Sequence, residues 1–119
     1  MNTQEIAQDY VAMCRDGKEK ELHEKHYSPT ITSIEMPGGE FERCEGFEEI
    51  AKKGAWWEEN FEVHSVETSE PMIADNHFAV TFTMDTTHKP SGQRTTMTEI
   101  AVMQVKDGKI VSEQFFYDK

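Results

Sequence analysis

Glu99 is the residue whose setting most suggests chemistry. It lies in Thr95–Val105, a run whose period-two alternation puts Met97, Glu99, Ala101, Met103 and Val105 on one face. A carboxylate among methionines and alanine is costly to bury unless it is paired, hydrogen-bonded or kept protonated by a raised pKa. So placed, it is a candidate acid or base. The other reading puts Glu99 at an open rim, solvated or bonded to a Tyr or Arg, and both stay open here. The five histidines, His23, His26, His64, His77 and His88, include no H-x-x-x-H pair. His23-x-x-His26 has a chelating spacing without an evident third ligand, so a helix-terminal surface role is preferred and no metal is expected. His64 and His88, in or beside strand-like runs, are further acid or base candidates. No phosphate-binding glycine loop, dinucleotide fingerprint or nucleophile elbow occurs. Nucleotide-dependent and covalent chemistry are therefore disfavoured, and no cofactor is expected.

The elements that must position these residues follow from periodicity. Thr3 is a candidate cap for a first helix carrying Ile6, Tyr10, Met13 and Cys14 on one stripe, widened by Ala7 and Val11. Asp16-Gly17 ends it. Lys18–His26 reads as a second short helix closed by Ser28-Pro29, because the residue before proline disfavours helical geometry. Thr30–Met36 is rich in β-branched residues and reads as a strand, stopped by Pro37-Gly38-Gly39 and followed by a loop through Glu45. A third helix runs from Gly46 to about Asn60 and ends on Trp56-Trp57, with a core role as the first reading for Trp57. From Phe61 the period becomes two, in runs at Phe61–Glu67, His77–His88, Thr95–Val105 and Lys109–Tyr117. Turn residues at 74–76, 89–92 and 106–108 make these a meander. Phe78, Val80, Phe82 and Met84 form the inward face of the second of these runs. Ile100, Val102, Ile110, Val111, Phe115 and Phe116 leave apolar surface over, which suggests a subunit interface.

The chain of 119 residues has room for one core, and no repeat or linker divides it, so residues 1–119 are read as one domain. With 12 Lys and Arg against 23 Asp and Glu, the net charge of −11 repels phosphate backbones and anionic membranes, and neither is an expected partner. Cys14 and Cys44 have no paired spacing and are read as free thiols. The first residues carry no positive segment followed by an apolar one, and no apolar run approaches a membrane span, so a cytoplasmic location is expected.

Three helices, one strand and a four-strand tail at this length resemble the SnoaL-like / nuclear transport factor 2-like superfamily, which includes ketosteroid isomerases, scytalone dehydratases and limonene epoxide hydrolases. The resemblance is carried by Ile6–Ala12, by Ile34–Gly39 leading to Gly46, and by the ending Asp107–Asp118. It implies an α+β fold, a cone-shaped barrel with three N-terminal helices packed on a curved, mostly antiparallel sheet (NTF2-like, cystatin-like). It also implies proton transfer without a cofactor. Tyr10 sits where the isomerases place an oxyanion donor, beside the alternative of a core tyrosine. The isomerase base ends the first strand, where Glu35 and Met36 both stand as candidates for the inward position. The second isomerase donor looks like Ala101, so that match fails and Glu99 is the displaced substitute. Asp118 resembles the acid–base aspartate that ends SnoaL-like cyclases, or is a solvated residue.

The resulting expectation is a pocket for an apolar small molecule with a polar head group. Tyr10 would be the hydrogen-bond donor, Glu35 the base, Glu99 the acid or orienting partner and Asp118 a further candidate. Cys14, Trp57, Val80, Phe82, Met84, Met97, Ala101, Met103 and Phe116 would line it. The reaction expected is isomerase-, cyclase- or hydratase-like. The alternative is a non-catalytic ligand-binding or protein-interaction module, and a homodimer through the sheet is expected in either case.

Overall fold

The computed structural model describes residues 1–118. Helix α1 (Thr3–Arg15) is capped by Asn2, one residue before the expected Thr3. The Asn2 side chain accepts the Glu5 N–H at 2.8 Å, while the Asn2 N–H donates to Glu5 Oε1 at 2.9 Å. This reciprocal pair satisfies two backbone donors that the helix itself leaves free. Helix α2 (Glu19–His26) folds back on α1, where Asp9 Oδ2 meets His26 Nε2 at 2.6 Å and Lys25 Nζ at 2.8 Å.

Strand β1 (Tyr27–Ile34) starts before Pro29, so the proline lies inside a strand and not at the helix end expected for it. Proline has no N–H for a ladder, and the pairing of β1 is irregular between Tyr27 and Thr32. Strand β2 (Arg43–Glu45) occupies part of the expected loop and pairs antiparallel with β1. Helix α3 (Gly46–Asn60) follows, then β3 (Phe61–Thr68), the unforeseen β4 (Met72–Ala74), β5 (His77–His88), β6 (Gln93–Lys106) and β7 (Lys109–Phe116). Positive φ angles at Asp107 and Gly108, 52° and 76°, make the tight β6–β7 turn.

The strand order is β2-β1-β7-β6-β5-β3, with β4 beside the start of β5. Every neighbouring pair is antiparallel except β1 and β7, which run parallel. The α+β class and the three helices agree with expectation among the described residues. The closed barrel does not: the path ends at β2 and β3, which do not pair, and α3 packs against β1, β2 and β3 instead.

Register sets the inward face. Phe78 lies opposite Met103, Val80 opposite Ala101, Phe82 opposite Glu99 and Met84 opposite Met97. At the helical end of this face Ile6, Ala7, Tyr10 and Val11 of α1 join Leu22, Ile31, Phe78, Val80, Ala101 and Met103 in the core. Each large apolar side chain buried there contributes roughly 1.5–3 kcal/mol. Toward the other end the face opens: Phe82, Met84 and Met97 are half-buried, and Val66, opposite Met84, is 46% exposed. The outward face carries Ile100 opposite Phe116, both exposed. Among the described residues no helix is long and apolar enough to cross a membrane.

Candidate active site

Three carboxylates share the inward face. On β1 the buried positions are Ile31 and Ser33, so alternation carries Glu35 inward just past the strand end. On β7, Glu113 lies opposite the buried Met103 and beside Ser33 of β1. Glu99 on β6 completes the set. Helix α3 brings a cation to them, because Lys53 lies three residues after the buried Ile50 and four before the half-buried Trp57, on the face turned to the sheet.

A chain of hydrogen bonds links these groups. Glu113, 3% exposed, accepts from Tyr27 Oη and from Ser33 Oγ, the latter at 2.7 Å. Lys53 Nζ donates to Ser33 Oγ at 2.7 Å and to Glu35 Oε2 at 2.8 Å. The other oxygen of Glu35 accepts from Tyr117 Oη at 2.9 Å. Lys53 Nζ also stands over the Phe115 ring, 5.0 Å from its centroid. Each ionised group of the chain has a charge-assisted partner, as burial requires.

Glu99 stands beside this chain and outside it. Among the described residues no donor reaches its carboxyl. Burial, then repulsion from Glu35, with Lys53 opposing and Glu113 adding to it, holds that carboxyl up at about 7 from an ordinary 4.5. It is thus half ionised near neutral pH and able both to take and to give a proton. Tyr10 is fully enclosed against Phe78, with ring centroids 5.3 Å apart. Burial first, then the neighbouring Cys14 thiol and the Glu113 and Glu99 charges, raise its phenol well above the ordinary range. Burial likewise pushes the Cys14 thiol up to about 12. A groove of about 360 Å³ opens where β7 ends, lined by Thr96, Met97, Thr98, Tyr117 and Asp118.

The expected residues therefore sort by position. Glu35 and Glu99 come together on one face, and Tyr10 lies within the field of Glu99 but inside the core. Val80, Ala101 and Met103 are buried core residues, and the half-buried Cys14 packs against the core they belong to. Phe82, Met84 and Met97 form the open end, with Trp57 stacked on Phe61 at 4.2 Å. Phe116 pairs with Ile100 on the outward face, so it cannot line an inward pocket. Asp118 is exposed at the groove. His64, exposed, bonds Thr87 at 2.7 Å, and His88, half-buried against Phe61, bonds Ser91 at 2.8 Å; neither is hydrogen-bonded to Glu35, Glu99 or Glu113. Tyr27, Ser33, Lys53, Glu113 and Tyr117 were not foreseen. Lys53 was findable as a lysine inside the apolar stripe of α3, and Tyr117 as the next residue after Phe115 on an alternating face.

The profile of the SnoaL-like domain matches residues 1–117. The crystal structure of a candidate SnoaL-like polyketide cyclase from Mesorhizobium loti superposes with a TM-score of 0.94 at 36% identity, over 98% of this chain and 100% of that one. An NTF2-like protein from Burkholderia thailandensis gives 0.86 at 18% identity, over 99% and 92%. A candidate isomerase from Bacillus subtilis gives 0.75 at 20% identity, over 99% and 90%. At those two identities the likeness is one of fold. No curated protein matches the sequence.

Proposed function

Since the chain belongs to the SnoaL-like domain family, we propose that it binds an apolar compound with an enolisable carbonyl and moves a proton on it, without a cofactor, through Glu99. The observation that carries this reading is the Glu99 carboxyl: inward-facing, without a hydrogen-bond donor among the described residues, and titrating at about 7. A general base works best when its pKa lies near the working pH. Ionised Glu99 takes the proton from the carbon beside the carbonyl, and the protonated acid returns it to the same or a conjugated carbon. Glu35 is the weaker choice of base, because Lys53 and Tyr117 engage both of its oxygens. The apolar body of the ligand lies along Phe82, Met84, Met97 and Val66.

The test uses a β,γ-unsaturated ketone in D₂O, with C–H exchange followed by NMR. The wild type accelerates exchange over buffer, with a rate that rises through about pH 7, where Glu99 ionises. Glu99→Gln lowers that rate by roughly 10²-fold or more. Equal rates in the two proteins would sink the reading. A second reading, a non-catalytic ligand-binding module, is favoured by the enclosure of Tyr10 and the engagement of Glu35; it expects saturable binding of the ketone with no exchange above buffer.

A further inference from the structure

The ammonium of Lys53 has three N–H donors. Two are used inside the protein, on Ser33 Oγ and Glu35 Oε2. Among the described residues no oxygen accepts the third, and Nζ faces the Phe115 ring. Phe115 lies opposite Ala101, which is two residues from Glu99 on the same face. The ammonium thus stands by the stretch of the inward face that carries Glu99, near enough for its charge to act on that carboxyl.

The ammonium is also held from behind. Ser33 has a single hydroxyl hydrogen, and it goes to Glu113 Oε2. The Ser33 oxygen can then only accept from Lys53. Glu113 is itself fixed by Tyr27 and buried, so the chain Tyr27–Glu113–Ser33 sets both the place and the direction of Nζ. With its side chain 17% exposed, Lys53 is open enough to meet a ligand and enclosed enough for its charge to act strongly.

Building on the proton-transfer reading above, we propose that Lys53 is a catalytic residue whose free N–H hydrogen-bonds the substrate's carbonyl oxygen as it becomes an enolate, with Ser33 and Glu113 as positioning residues. Glu99 takes the proton, the C–H electron pair becomes the new C=C bond, and the carbonyl π pair moves onto oxygen. Lys53 keeps its own proton throughout, and return of the proton from Glu99 to carbon reverses the flow. Donors aimed at the atom where charge develops contribute more to the rate of many such reactions than any other single effect. Glu35 and Glu113 oppose an anion here, whereas Glu99, once it has accepted the proton, does not. The substrates so defined are ketones whose enolates resemble phenolates.

A nitrophenol that ionises near neutrality reports on this directly, because phenol and phenolate absorb at different wavelengths. At pH 6 the wild type is expected to bind the phenolate in preference to the phenol, by roughly tenfold relative to free probe. Lys53→Met abolishes that preference and Lys53→Arg restores part of it. Lys53→Met also leaves Glu35 without its cation, so Ser33→Ala is a second arm. It keeps the ammonium but loosens its direction, and is expected to reduce the phenolate preference and the ketone exchange rate together without moving the pH midpoint set by Glu99. A probe that fails to bind, that binds wild type as the neutral phenol, or that binds Lys53→Met as phenolate overturns the assignment. Phenolate bound through Lys53 with no ketone exchange overturns the proton-transfer reading and the catalytic role with it, and identifies a phenol-binding site.

Discussion

Replacing Glu99 by glutamine alters the pH dependence of stability in a way that can be worked out beforehand. The carboxyl titrates at about 7 in the folded protein and at an ordinary 4.5 when unfolded. Folding therefore takes up a proton between those values, and the wild type loses stability as pH rises through that window. At about 1.4 kcal/mol per factor of ten the loss amounts to about 3 kcal/mol, an upper figure because the side chain is only half-buried. Glutamine carries no charge at any pH and occupies the same volume, so Glu99→Gln escapes the loss. Below pH 4.5 the two proteins should be equally stable; at pH 8 the variant should be ahead by about 3 kcal/mol, or roughly 10 °C in Tm for a domain of this length. Urea titrations of both proteins at pH 4, 6, 7 and 8 measure the gap. A gap below about 1 kcal/mol at pH 8 would mean that Glu99 is solvated at the rim. A gap already present at pH 4 would mean that something other than charge distinguishes the two side chains.

Other consequences can be checked as simply. Gly46 has a φ of +79°, and a Cβ there would stand 3.3 Å from the Pro29 carbonyl oxygen, so Gly46→Ala should cost about 1–2 kcal/mol in urea unfolding. The Cys14 thiol, held up at about 12, should resist a disulfide reagent at pH 8 in the native protein and react at once in urea. On the outward sheet face the exposed Ile100 and Phe116 stand opposite each other, bordered by threonines and the Asp85–Arg94 ion pair, with Glu62 and Glu67 of β3 toward its edge. We propose that a second copy covers it: sedimentation at micromolar concentration should give a dimer, and Ile100→Lys a monomer.

The parts of the fold legible from sequence were those governed by unbroken periods. The helical stripe of α1 and the alternation of β5 and β6 point inward the same residues that the structure buries or half-buries there. Breaks in period hid the rest. The register between β6 and β7 slips between Gln104 and Val105, so that Val105 lies opposite Ile110 while Gln104 lies opposite Ser112. Counting by twos from Ile110 therefore turns Glu113 outward, when it is buried. On β1 the polar residues Ser33 and Glu35 face in and Ile34 faces away, the reverse of what hydrophobicity favours. Only the cluster itself explains that inversion, since Ser33 and Glu35 meet Lys53 and Glu113 from elements far apart in sequence. Glu99 was legible because it interrupts an intact run, and its isolation from donors is a property that no local pattern can express.

The parallel pairing of β1 with β7 bears on how the chain is made. Of the seven strands among the described residues β7 is translated last, yet it lies between β1 and β6 in the middle of the sheet. Until it leaves the ribosome, β1 and β6 each keep an open hydrogen-bonding edge, and Ser33 and Lys53 lack the carboxylate that orders them. The nascent chain thus waits with two unprotected sheet edges for its final strand, and pairing across the longest sequence separation in the fold is expected to limit the folding rate. A ribosome-bound chain stalled just before residue 109 should be digested readily by protease, while one released after residue 117 should resist.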